Sequence, residues 1–92
     1  MPSPLSEPEI RQRLSTLPGW ERDRATIRRT YRFEAYLAGV GFATRVAELA
    51  EAADHHPDIL IGYRQVTLTL TSHDAGGLTA RDFDLAARID AS

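Results

Sequence analysis

Helical and strand-like spacings of apolar residues alternate along this chain. Ile10, Leu14 and Leu17 stand at i, i+4 and i+7, which predicts a short amphipathic helix over about 7–16. Ser6 precedes Glu9 by three positions, the spacing at which each side chain satisfies the other residue's free backbone N–H. Pro18-Gly19 ends this segment. Trp20 opens a short strand and Asp23-Arg24 forms a turn. From Thr26 to Phe33 the pattern has period two, with Ile27, Tyr31 and Phe33 on one face and Thr26, Arg28, Thr30 and Arg32 on the other. One polar face marks a half-exposed strand of an antiparallel sheet. Arg29 interrupts the apolar face, so its aliphatic stem is expected to lie along an edge.

Residues 35–53 form the longest expected helix. Phe42, Val46, Leu49 and Ala53 line one stripe, and Tyr36, Val40, Ala43, Ala47 and Ala50 a second. Charges are confined to Arg45, Glu48 and Glu51, and the apolar arc is wider than one sheet needs, which leaves part of it for a partner chain. Gly39 and Gly41 each weaken the helix by roughly 1 kcal/mol relative to alanine, unless glycine serves close packing there. Beyond Pro57, PDILIGYRQVTLTLTS reads as a hairpin turning at Arg64-Gln65, with Tyr63 opposite Val66, Ile61 opposite Leu68, Ile59 opposite Leu70 and Asp58 opposite Thr71. Arg-Gln is not a favoured two-residue turn. Gly76-Gly77 breaks the chain again. Thr79, with Asp82 in capping-box position, starts a last helix that buries Phe83, Leu85, Ala86 and Ile89. The order α-β-β-α-β-β-α predicts an α+β fold, in which two hairpins form a four-stranded antiparallel sheet with three helices packed on one face.

Composition narrows the class. At 92 residues the chain is read as one domain, 1–92, with residues 1–5 as a loose tail around Pro2 and Pro4. An apolar share of 42%, a charged share of 26% and a net charge of -2 are an ordinary globular balance. The absence of cysteine removes disulfides, thiolate metal sites and cysteine nucleophiles. No signal-peptide pattern opens the chain, and no apolar run approaches the roughly 20 residues that span a bilayer. A cytoplasmic protein without membrane contact is expected. The charge balance carries no nucleic-acid footprint, and Arg28, Arg29 and Arg32 read as a solvated strand face.

The candidate chemistry lies in DHHPD, residues 54–58, where two of the chain's three histidines adjoin. Pro57 forces His56 out of helical geometry, so His55 and His56 diverge at a helix-to-strand corner. In an antiparallel hairpin the start of one strand lies beside the end of the other, which brings His73 to the same corner. Three readings are open. Surface histidines can meet by chance. Three imidazoles and a water form a catalytic zinc set, although adjacent histidines diverge and HExxH is absent. Alternatively, imidazole, with a pKa near 6.5, both accepts and donates protons at neutral pH, and Glu51, Asp54, Asp58, Asp74 and Asp82 are placed to orient rings and favour imidazolium. Nucleophile elbow, P-loop and dinucleotide fingerprint are all missing.

ExxDHHPD (51–58), Tyr63 and SHDAGGLTARD (72–82) together resemble the pterin-4a-carbinolamine dehydratase family, and the likeness extends from Gly19-Trp20 to LAARI at 85–89. The resemblance implies a hydro-lyase that converts 4a-hydroxytetrahydropterin to quinonoid dihydropterin, recycling tetrahydropterin after aromatic amino-acid hydroxylation. It implies proton transfer by His55 and His73, with His56 positioning the pterin. Pro57, Ser72 and Asp74 match segments that contact substrate, and Glu51, Asp54 and Asp82 are supporting carboxylates. No metal and no cofactor are implied, since the pterin is the substrate. Ile59 stands where many relatives carry an aromatic residue, so any stacking from that ring is absent. Family members form a dimer through sheet edges or a tetramer through the long helix. A mammalian member also serves as dimerisation cofactor of a homeodomain transcription factor. The rival reading is therefore a non-catalytic binding, assembly or transcriptional-cofactor module on the same fold.

Overall fold

The computed structural model describes residues 3–92. Helices α1 (Glu7–Leu14), α2 (Tyr36–Ala53) and α3 (Ala80–Ala91) alternate with strands β1 (Glu21–Asp23), β2 (Thr26–Arg32), β3 (Asp58–Ile61) and β4 (Gln65–Leu70) in the expected order. The four strands form one antiparallel sheet, β1-β2-β4-β3. Ile27, Val66, Leu68 and Leu70 of the sheet are fully buried with Ile10, Val46, Phe83, Leu85 and Ile89 of the three helices, so all helices cover one face. Thr30 and Thr67 meet on the other face through their hydroxyls at 2.8 Å. Both capping boxes form, Ser6 with Glu9 and Thr79 with Asp82. Of the expected loose tail, residues 1 and 2 lie outside the described residues. Leu5 donates its N–H to the Leu78 carbonyl at 2.8 Å and packs on the core, so this part is docked.

The β3–β4 hairpin keeps its expected faces but not its register. Ile61 pairs with Val66, Ile59 with Leu68 and Asp58 with Thr69, two residues off the expected pairing. A slip of two leaves every side chain on its own face, so alternation cannot detect it. The turn is Tyr63-Arg64, closed by Gly62 N–H to the Gln65 carbonyl at 2.8 Å, and the Arg64 carbonyl accepts from Phe33 N–H at 2.9 Å. That bond to the end of β2 sets the register, and Tyr63 stands exposed rather than on the core.

The two expected stripes of α2 merge. Gly39, Phe42, Ala43, Val46 and Ala50 are buried, while Tyr36, Leu37 and Ala47 face outward. A Cβ on Gly39 would meet Val66 at 3.3 Å and Phe33 at 3.4 Å, so this glycine lets the helix approach the sheet; Gly41 has no such neighbour. Among the described residues no helix is long and apolar enough to cross a membrane.

Arg29 does not lie along an edge, because β2 is an interior strand. Its guanidinium covers the Tyr31 ring at 4.5 Å and reaches the Pro18 carbonyl at 3.0 Å and Asp90 at 3.2 Å. Asp90 also accepts from Trp20 Nε1 at 2.9 Å and from the Tyr31 hydroxyl at 2.5 Å, tying the end of α3 to the sheet. Arg28 and Arg32 do face solvent, near Asp23 and Gln65.

Burial, and then the Asp90 carboxylate, hold the Tyr31 proton far above the ordinary tyrosine value near 10. The folded protein thus keeps a proton that the unfolded chain sheds, and the associated stability is complete below pH ~10 and declines as pH rises past it. The chain has no lysine, and its other tyrosines, Tyr36 and Tyr63, are exposed. The urea midpoint of the wild type should therefore fall between about pH 9 and 11 more steeply than that of Tyr31→Phe. Parallel curves would show that Tyr31 titrates alike in both states.

Candidate active site

Helix α2 ends at Asp54, whose left-handed backbone (φ 50) turns the chain away from the helix axis. His55 follows, its N–H on the Ala50 carbonyl at 3.1 Å, with its ring directed inward. Pro57 holds His56 extended, and that ring stays exposed. His73 begins a single 3₁₀ turn, His73–Ala75, that closes on Gly76 at φ 76, a conformation glycine adopts without strain. The revised register still brings this turn to the corner. Asp54, His55, His56, Thr71, Ser72, His73, Asp74 and Arg81 line one cleft of about 390 Å³.

The buried side of the cleft is organised by Asp82, which is wholly buried on the first turn of α3. Its Oδ1 lies 2.6 Å from His55 Nε2, and its Oδ2 accepts from Ser72 Oγ at 2.8 Å and from Thr79 N–H at 2.9 Å. A carboxylate only accepts, so His55 Nε2 carries hydrogen, and in the neutral ring the lone pair lies on Nδ1. Ser72 spends its single hydroxyl hydrogen on Asp82, so the Thr79 hydroxyl, 2.9 Å away, donates to Ser72. Every atom of this network thus has a defined role, the condition under which a buried charge is tolerated.

The other expected site residues lie around this core. Glu51 is outside the cleft and pairs with His56 Nε2 on the surface. Asp74 binds Arg81 Nη2 at 2.6 Å, and that guanidinium holds its carboxyl below the usual carboxylate range. Pro57 is half-buried and shapes the corner without lining the cleft. Ser72 does line it, with its hydroxyl already engaged. Ile59 packs partly buried on the core opposite Leu68, away from the cleft, so its place in the fold is structural. Among the described residues no three His, Asp or Glu side chains are arranged to hold a metal ion. The two paired imidazoles have their Nε2 atoms turned apart, one into the protein and one toward solvent.

Thr71 and Arg81 are the lining residues that the sequence reading missed, and Arg81 is the charged one. It borders both this cleft and a smaller one of about 230 Å³ behind His55, shared with Ala53, Asp84, Leu85 and Arg88. Its position directly before Asp82 was the available signal, since successive residues on a helix's first turn flank the same corner.

Removing Asp82 strands three buried or partly buried donors, so Asp82→Ala should cost about 3–5 kcal/mol of stability. Glu51→Ala removes one partner of an exposed pair and should cost under about 1 kcal/mol. Denaturant titration of both variants checks the contrast; equal losses would refute the central role given to Asp82.

The chain has known relatives. Residues 3–92 match the family model described as pterin 4 alpha carbinolamine dehydratase. A protein of Roseiflexus sp. (strain RS-1) named for that dehydratase is 53% identical over 98% of this chain and 97% of its own. The crystal structure of a transcriptional coactivator/pterin dehydratase from Brucella melitensis superposes with a TM-score of 0.92 at 33% identity, over 97% of each chain. A pterin dehydratase-like protein identified as a RuBisCO assembly factor in the alpha-carboxysome is more distant, with a TM-score of 0.63 at 26% identity, over 78% of this chain and 83% of that one. A family model matches nearly the whole chain, and the protein belongs to the pterin 4 alpha carbinolamine dehydratase family.

Proposed function

We propose that the protein dehydrates a 4a-hydroxytetrahydropterin to the quinonoid dihydropterin by histidine acid–base catalysis, with no metal and no cofactor beyond the substrate. Family membership makes it a hydro-lyase. The observation that carries the mechanism is the convergence of three imidazoles on one cleft, one of them backed by a buried carboxylate.

Dehydration needs two proton movements. The C4a hydroxyl leaves as water once protonated, and the electron pair of the N5–H bond forms the C4a=N5 double bond as that proton departs. His55 is suited to the second step: Nδ1 accepts the N5 proton and Asp82 stabilises the resulting imidazolium. His73 is assigned the first step. Its exposed ring protonates the departing hydroxyl and is recharged from solvent. His56, held by Glu51 at the rim, positions the ring system.

His55→Ala and His73→Ala should each lower kcat by roughly 10²- to 10⁴-fold with little change in KM, because the lost interactions belong to the transition state. His56→Ala should chiefly raise KM. The double variant should be little worse than the poorer single one, since the two proton movements belong to one concerted dehydration. Turnover of freshly generated carbinolamine by the variants, with and without chelator, measures this. A rate that collapses on chelation and returns with zinc would replace the mechanism with a metal one. Wild-type rates in all three variants would mean that the three histidines meet by chance and carry no catalytic role. A wild type without turnover would instead favour the assembly-module reading, for which the RuBisCO assembly factor of similar fold is the precedent.

Self-association completes the proposal. Strand β3 is an open sheet edge bearing exposed Leu60 and Ile61, and Leu37 is 76% exposed at the start of α2. Unpaired strand edges and apolar residues of this kind promote pairing with another copy. Sedimentation at micromolar concentration should give a dimer or tetramer, and Leu60→Lys should weaken it if the edge is used. A sharp 10.2 kDa monomer would dismiss the assembly.

A further inference from the structure

Sorting the side chains around the histidine cleft by their commitments leaves two that hold no partner at all, beside the single unpaired Nε of Arg81. His55 and Ser72 are bound to Asp82, and the Thr71 hydroxyl donates to the Ala25 carbonyl at 2.6 Å. Asp74 and Arg81 hold each other, and His56 holds Glu51. Among the described residues the Asp54 carboxylate and the His73 ring make no hydrogen bond or ion pair.

Asp54 is also a locally unfavourable choice. A C-cap with positive φ favours glycine or asparagine. A carboxylate at a helix C-terminus opposes the helix dipole, and the last turn of α2 holds no basic residue to offset it. Residues that break local rules without structural compensation concentrate at functional positions.

We propose that Asp54 fixes the orientation of the substrate by accepting two parallel hydrogen bonds, from N3–H and the 2-amino group of the pterin. This deepens the pterin reading and rests on it. The pyrimidinone edge of a pterin presents these two donors side by side in one plane, the pattern a carboxylate accepts with both oxygens. N3 lies two bonds from C4a, so an edge anchored on Asp54 keeps the reacting carbon beside His55, the next residue in the chain. Asp54 itself touches no reacting atom; it is a positioning residue.

The test compares 7,8-dihydropterin with its 2-desamino analogue, binding each to the full-length wild type, Asp54→Asn and Asp54→Gly by calorimetry. Both substitutions suit the left-handed backbone, so the corner should survive. The wild type should prefer dihydropterin by about 10- to 100-fold, the scale of hydrogen bonds to a charged group. Both variants should lose most of that preference, weakening dihydropterin more than the analogue, which has only its N3–H bond to lose. A purely structural Asp54 would weaken both ligands alike and leave the ratio unchanged. An unchanged ratio in the variants, or no preference in the wild type, overturns the assignment while leaving the dehydratase reading intact. A wild type that binds neither ligand and turns over no carbinolamine overturns both.

Discussion

The buried carboxylate of Asp82 is the constraint around which this small protein is arranged. A full negative charge with no solvent contact is tolerable only when its oxygens are satisfied by well-placed donors. Here the donors come from three places: the backbone at the start of α3, the segment after β4, and the corner after α2. Fulfilling Asp82 therefore brings together segments far apart in sequence. The same requirement that caps α3 also sets the tautomer of His55, so a stability device and a chemical one share a single group.

The corner at residues 54–57 converts that constraint into a cleft. A left-handed residue, two histidines and a proline send successive side chains in different directions within one turn of chain. His55 goes inward to the carboxylate and His56 outward to Glu51, so neighbouring residues acquire different surroundings. On the far wall, the 3₁₀ turn ending at Gly76 holds His73 at the end of β4. The central strand is thereby the ruler of the site: its pairing with β3 determines how near the two walls stand.

Other parts of the molecule are more open. The solvent-facing edge of β3 and the outward residues of α2 have no partner among the described residues. The same fold is found in a coactivator/pterin dehydratase and, more distantly, in a RuBisCO assembly factor. In this chain the histidine cleft and the exposed apolar residues Leu60 and Ile61 of β3 are on separate features.

Much of this was legible in the sequence because short-range patterns carry it. Alternation in Thr26–Phe33, the helical spacing in α2, and the Ser6-Glu9 and Thr79-Asp82 pairs report local geometry directly, and Pro57 alone makes adjacent histidines diverge. The meeting of His55, His56 and His73 followed from hairpin geometry even with the wrong register, since a slip of two moves a partner along the strand without changing its face. What the sequence could not determine depends on contacts between distant segments. The turn at Tyr63-Arg64 is set by the Phe33 bond, Arg29 is drawn toward Asp90 across the sheet, and Leu5 is docked by Leu78. Asp82 shows the division most clearly. Its spacing from Thr79 identified a helix cap, but its role as the partner of His55, 27 residues earlier, exists only once the chain has folded, because the energy of a buried hydrogen bond depends on proximity and desolvation that no local pattern encodes.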